Sequence, residues 1–145
     1  IDLHSGTIVI ARNNPAPMFI CRNETIDRMD SESIPLGASR DVRPLISEIA
    51  LEPGLMIVIY TDGLTHAGSR RGTPMNVADT IQSVIEDENP SPQLLADTLL
   101  AQAVRLDENR PVDDISVLVL KVTSRIGDNV RRMSVRLPLE GHFKS

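Results

Sequence analysis

Six consecutive apolar residues, Leu55 to Tyr60 (LMIVIY), set the terms for everything else in this chain. They are bounded by Pro53-Gly54 before and by Thr61-Asp62-Gly63 after. A strand with one wet face alternates polar with apolar, whereas an unbroken apolar run closed by turn residues predicts a strand buried on both faces. LMIVIY is therefore read as the centre of a sheet covered on both sides. Ile115 to Val122 (ISVLVLKV) is read as a second deeply apolar strand. At 145 residues, 41% of them hydrophobic, the chain can bury roughly 68–70% of its unfolded surface and needs no disulfide or metal staple to hold a core. Cys21 is the only cysteine, so no intrachain bridge is possible and a reducing compartment is expected.

The other elements follow from pattern and punctuation. Thr7 to Arg12 (TIVIAR) and Pro17 to Arg22 (PMFICR) flank the turn residues Asn13-Asn14-Pro15-Ala16 and are expected to form a β-hairpin. Thr25 to Met29 alternates like a half-buried strand, and Asp30 to Pro44 reads as a long loop. Leu45 to Leu51 (LISEIAL) is a further strand, joined to LMIVIY by a tight Pro-Gly turn. A polar loop is expected after Gly63, followed by two antiparallel helices. The first is expected to start at Thr73-Pro74, to bury Val77, Ile81, Val84 and Ile85, and to stop near Glu88-Asn89-Pro90. The second starts at Ser91-Pro92 and carries Leu95, Leu99, Ala103 and Leu106 on its apolar face. Met133, Val135 and Leu137 predict one more strand, at an edge because Pro138 ends it.

Charge narrows the function. The formal net charge of −5 and the 2% aromatic content argue against nucleic-acid binding, which calls for a basic face and stacking rings. A cationic or metal-bearing partner fits better. Arg125, Arg131, Arg132, Arg136 and Lys144 gather near the C-terminus and are read as a solvated tail. No apolar run approaches the roughly 18 residues of a membrane span, and a cytoplasmic location is expected.

The residues with the most chemistry in them are carboxylates at strand ends. Asp62 ends one apolar strand, and Asp113 and Asp114 precede the other. If the helix pair links these strands as antiparallel neighbours, Asp62 and Asp113 face each other at one rim of the sheet. Two carboxylates held close repel unless a proton or cation lies between them, and a hard divalent cation such as Mg²⁺ or Mn²⁺ is the natural occupant. Gly63 would let the backbone turn sharply beside such a ligand. On spacing alone the competing reading, Asp as an ordinary turn former, stands ahead.

The ordered motifs Leu51-Glu52-Pro53-Gly54, Ile57 to Ala67 (IVIYTDGLTHA) and Val112 to Leu120 (VDDISVLVL) resemble the bacterial branch of the metal-dependent (PPM, type 2C) protein phosphatases. That branch includes the stage II sporulation protein E-like phosphatases and stress-response regulators of the anti-sigma-factor system. Asn13-Asn14-Pro15 and Ile34-Pro35-Leu36-Gly37 are also similar to the family, and the resemblance runs from Ile1 to Val122. It implies an α+β fold, an antiparallel β-sandwich flanked by a helix pair, with a dinuclear Mn²⁺ or Mg²⁺ centre at one rim. It implies hydrolysis of phosphoserine or phosphothreonine on a regulatory protein by metal-activated water, in a protein that can also carry a sensor domain. By position Asp62 and Asp113 would be metal ligands, with Gly63 and Asp114 supporting the rim.

The resemblance has gaps. The family's upstream Gly-Asp and Asp-Gly motifs have no counterpart here, so residues 1–123 are expected to be the later portion of the phosphatase domain, with 124–145 an edge strand and Arg-rich tail. With Asp62 and Asp113 alone, this piece is expected to bind metal weakly, to show little or no activity, and to be open to self-association at uncovered sheet edges. His66 stands where the family more often has Glu and is read as a solvent-facing loop residue. His4 and His142 are read as surface residues, and the dispersed methionines as core or half-core filling. The alternative is a non-catalytic regulatory or protein-binding module on the same fold. A generic β-rich interaction domain, in which the Asp residues only form turns, is the third reading.

Overall fold

A computed structural model describes residues 1–13, 15–86 and 90–124. The chain runs β1 (Thr7–Arg12), β2 (Met18–Arg22), β3 (Thr25–Met29), β4 (Leu45–Ala50), β5 (Met56–Tyr60), α1 (Asp62–His66), a 3₁₀ turn (Ser69–Arg71), α2 (Val77–Ile85), α3 (Pro92–Leu106) and β6 (Val117–Lys121). These form an α+β sandwich in which every strand pairing is antiparallel. A four-stranded sheet in the order β3-β2-β5-β6 lies between α2–α3 and a two-stranded sheet of β1 and β4.

The period of two along each strand divides the core. Phe19 and Cys21 of β2 and Met56, Val58 and Tyr60 of β5 face the helices, against Ile81, Val84, Leu95, Leu99 and Ala103. Met18, Ile20 and Ile57 face the other way, against Ile8 of β1 and Ile49 of β4, with Leu55 beside them. The doubly buried strand expected at LMIVIY is therefore present, with β2 and β6 on its two sides. Burial raises the pKa of the Cys21 thiol to about 11 and of the Tyr60 phenol to about 12, because the charged form of each would be poorly solvated.

Several expectations give way. β1 and β2 are not a hairpin: β1 pairs with β4, Ile8 opposite Ile49, while β2 pairs with β3 and β5. β2 buries both faces and belongs in the inner sheet, whereas β1 has one apolar stripe and suits a covering layer. The Pro53-Gly54 turn likewise carries the chain from one sheet to the other rather than between paired strands. Gly54 has φ +90°, and its N–H donates to Val122 O at 2.8 Å, which ties the turn to the end of β6.

β6 is only half-buried, with Leu118 57% exposed, because β5 alone flanks it among the described residues. The first long helix starts at Asn76 rather than Thr73. Thr73 and Met75 donate backbone N–H bonds to Gly68 O and Ala67 O, and this holds Pro74 in a connection outside the helix. The second helix begins as expected: Ser91 Oγ accepts from Leu94 N at 3.0 Å, Pro92 takes the first helical position, and Leu95, Leu99 and Ala103 are fully buried. Met18, Met56 and Met75 are core residues and His4 is exposed. The expected strand at Met133 to Leu137, the Arg-rich end, His142 and the Asp87–Asn89 stretch lie outside the described residues.

Candidate metal centre

The site begins at the paired ends of β5 and β6. Tyr60 stands opposite Val117, and the next residue continues the ladder, Thr61 N donating to Ser116 O at 3.1 Å. The Thr61 hydroxyl donates to Asp114 O at 2.9 Å and accepts from Ser116 N at 2.9 Å. One side chain thus fastens the exit of β5 to the segment entering β6.

Gly63 makes the approach closer still. A Cβ on it would stand 2.5 Å from Asp114 O and 3.2 Å from Ile115 Cγ1, so no larger residue fits without moving backbone. This is a requirement for close packing at an ordinary φ, rather than for a left-handed turn.

From Asp62 the chain forms α1, where a polar loop had been expected. Leu64 and Ala67 are drawn into the helix-side core, at 0% and 1% exposure, and this leaves Asp62 and His66 on the outer side, one turn apart. Gly68 N donates to Asp107 Oδ1 at 2.8 Å, anchoring the segment after α1 to the end of α3. Across the gap, Asp114 N donates to Asp113 Oδ1 at 2.8 Å and fixes that carboxylate.

The result is a convergence of three donors. Asp62, His66 and Asp113 each offer an atom, and the three atoms lie within 4.8 Å of one another on an exposed surface. Two donors bound to one small divalent ion at about 2.1 Å stand about 3–4 Å apart, so modest side-chain rotation closes this set onto a cation. The donor set therefore fits one divalent ion approached from the solvent side.

Of the residues singled out in the sequence, Asp62 and Asp113 are brought together and Gly63 packs beneath them. Asp114 adjoins the group without supplying one of its three donors. Two residues were missed. His66, read as a loop residue, belongs to the cluster because it lies four positions after Asp62 on a helix of only five residues, too short to leave a periodic apolar signal. Thr61 gave no signal beyond a hydroxyl at a strand end.

An antiparallel sandwich flanked by a helix pair, with acidic groups converging at the rim between two adjacent strands, defines the class. The sequence matches the family model for stage II sporulation protein E (SpoIIE) over residues 1–123, and the chain belongs to that family. No curated protein sequence matches it. Among solved structures, the PP2C phosphatase domain of SpoIIE from Bacillus subtilis with a fragment of its regulatory domain superposes with a TM-score of 0.71 at 19% identity, covering 88% of this chain and 37% of that one. The same phosphatase domain in a crystal form without domain swapping gives 0.66 at 19% identity, covering 95% and 58%. The RsbU and RsbW domains of a Mycobacterium tuberculosis protein give 0.66 at 19% identity, covering 88% and 35%. At these identities the likeness establishes the fold. The chain spans between 35% and 58% of the length of these three structures. Among the described residues, no helix is long and apolar enough to cross a membrane.

Proposed function

We propose that this chain supplies one wall of the metal centre of a cytoplasmic serine/threonine protein phosphatase whose substrate is a phosphorylated regulatory protein of the anti-sigma-factor-antagonist type. The observation that supports this most is the meeting of Asp62 and Asp113 across the β5–β6 rim, from positions far apart in sequence, in a chain of the SpoIIE family.

In this reading Asp62 and Asp113 hold a divalent cation, Mn²⁺ or Mg²⁺. Thr61 and Gly63 set the distance between the two carboxylates, and the Asp114 N–H aims one of them. When bound, the cation supplies a nucleophilic water at neutral pH and neutralises charge on the phosphoryl oxygens. The rim's exposure suits a phosphorylated side chain presented on the surface of another protein.

Among the described residues the three donors fall short of what two six-coordinate ions require, and the 145-residue chain by itself is expected to hydrolyse phosphoserine peptides slowly or not at all. The test uses the full-length protein that contains this chain. Phosphate release from a phosphoserine peptide with Mn²⁺ is expected to fall on the order of 100-fold or more in Asp62→Asn and in Asp113→Asn, since even an outer partner of a metal ligand is commonly worth 10–100-fold in activity. Rates equal to wild type in both variants would overturn the reading.

A further inference from the structure

We propose that Arg12 and the two crevices flanking its side chain are a specificity site for the substrate, receiving apolar residues of an extended segment next to the phosphoserine. The proposal rests on the phosphatase reading in one respect, that a phosphoserine is bound at the rim.

The crevices come from the way the two sheets part. β1 pairs with β4, while β2 pairs with β3 and β5, and among the described residues nothing pairs β1 with β2. The layers therefore stand open where β1 ends at Arg12 and β2 begins at Met18. The Arg12 side chain crosses this opening. Its guanidinium donates to Ala16 O at 3.0 Å and to Ser31 O, which holds it between the turn before β2 and the segment after β3. Toward β5 it walls a crevice of about 170 Å³ with Ile10, Met18, Ile59 and Tyr60. Toward β3 and β4 it walls a second, of about 140 Å³, with Met18, Met29, Leu45 and Ser47.

Size and chemistry define what fits. An aliphatic-lined space of about 150 Å³ admits a benzene-sized group, so each crevice takes one apolar side chain such as Leu. Both fall short of the roughly 300 Å³ at which pockets for small molecules begin. Arg12 adds the polar element. Its guanidinium has N–H donors beyond the two in use, and these can meet a main-chain carbonyl or an acidic side chain of a segment already made anionic by its phosphate.

Position ties the crevices to the rim. The first is walled by Ile59 and Tyr60, three and two residues before Asp62. At about 3.3 Å per residue this separation is about 7–10 Å. An extended segment with its phosphoserine at the rim thus brings the side chain two or three residues away to the first crevice. A side chain about two residues further on reaches the second.

The test is steady-state kinetics of the full-length protein that contains this chain, with Mn²⁺, on phosphoserine peptides carrying Leu, Ala, Asp or Trp at the second and third residues on either side of the phosphoserine. The reference substrate is p-nitrophenyl phosphate, which has no flanking residues. Wild type should favour Leu over Ala by about tenfold in kcat/KM, carried by KM, since small differences in apolar contact commonly decide by about 10–200-fold. Asp should be poorer still. Ile59→Asn, at a position 37% exposed, should bring the Leu to Ala ratio close to one. Arg12→Ala joins the two crevices and should move the preference from Leu to Trp. Each ratio compares two peptides on one enzyme, so a general loss of folded protein cancels.

A Leu preference that survives unchanged in both variants would mean that another part of the protein covers the crevices, and it overturns the proposal. Equal rates of wild type on Leu, Ala and Asp peptides overturn it as well, and hydrolysis of p-nitrophenyl phosphate in that case leaves the phosphatase reading standing. Folded wild-type protein that hydrolyses neither the peptides nor p-nitrophenyl phosphate overturns both.

Discussion

The rim at the ends of β5 and β6 and the helix-covered core beneath it are joined by a few residues but are held together in different ways. In the core, Leu95, Leu99, Ala103, Ile81 and Val58 are sealed from solvent, and apolar burial provides the stability. At the rim, Asp62, His66 and Asp113 are exposed, and placing two carboxylates together works against folding. What fixes the rim is short-range geometry: the hydroxyl of Thr61, the missing side chain of Gly63, and one N–H bond to Asp113. The core thus governs whether the protein folds, and these contacts set the spacing of the side chains at the rim.

The largest expected effect tests the core side. Leu99→Ala should cost about 2–5 kcal/mol in denaturant unfolding, the range for a large buried side chain truncated in a packed interior. Gly63→Ala should come next, at about 1–3 kcal/mol, because the added methyl meets Asp114 backbone rather than a side chain that can swing away. It should also weaken Mn²⁺ binding, since moving that backbone displaces Asp113. Thr61→Val keeps the shape and removes both hydroxyl bonds, and it should cost about 1–2 kcal/mol in the same unfolding experiment. Thr61→Val should also weaken Mn²⁺ binding, and a loss of stability with ion binding intact would show that the hydroxyl supports the fold and not the rim. At the small end, Ile46→Ala on the outer face of β4, 69% exposed, should change stability by no more than about 0.5 kcal/mol.

Alkaline pH offers an independent probe of the core. Cys21 and Tyr60 both titrate higher when folded, to about 11 and about 12, than their ordinary values of 9.0 and 10.0. Above pH 9 the unfolded chain therefore binds fewer protons than the native one, and stability should decline as pH rises through the folded values. Below about pH 8 these two groups should contribute almost no slope. Thermal unfolding followed from pH 8 to 11 checks this, and Cys21→Ala should reduce the alkaline decline.

Much of this architecture was legible in the sequence because local pattern dictates it. LMIVIY reads as an inner strand because turn residues close it on both sides, and the Ser91-Pro92 start and the 95, 99, 103 stripe read as a helix with one buried face. The meeting of Asp62 with Asp113 was legible as well, since antiparallel pairing of β5 with β6 places those ends together. What the sequence hid was partnership between distant segments. β1 and β2 look like a hairpin until the burial of both faces of β2 is satisfied, and only then does β4 become the partner of β1. His66 was hidden for the opposite reason: one turn of helix is too short for a pattern, and its place in the cluster follows from Leu64 and Ala67 being drawn into the core.

In the proposed function Asp62 and Asp113 share one cation. Anomalous diffraction from crystals of this chain grown with Mn²⁺ tests it most directly. A manganese peak is expected within about 2.2 Å of a carboxylate oxygen of each residue. A well-ordered rim with no such peak, or with manganese bound elsewhere and the two carboxylates turned apart, would contradict it.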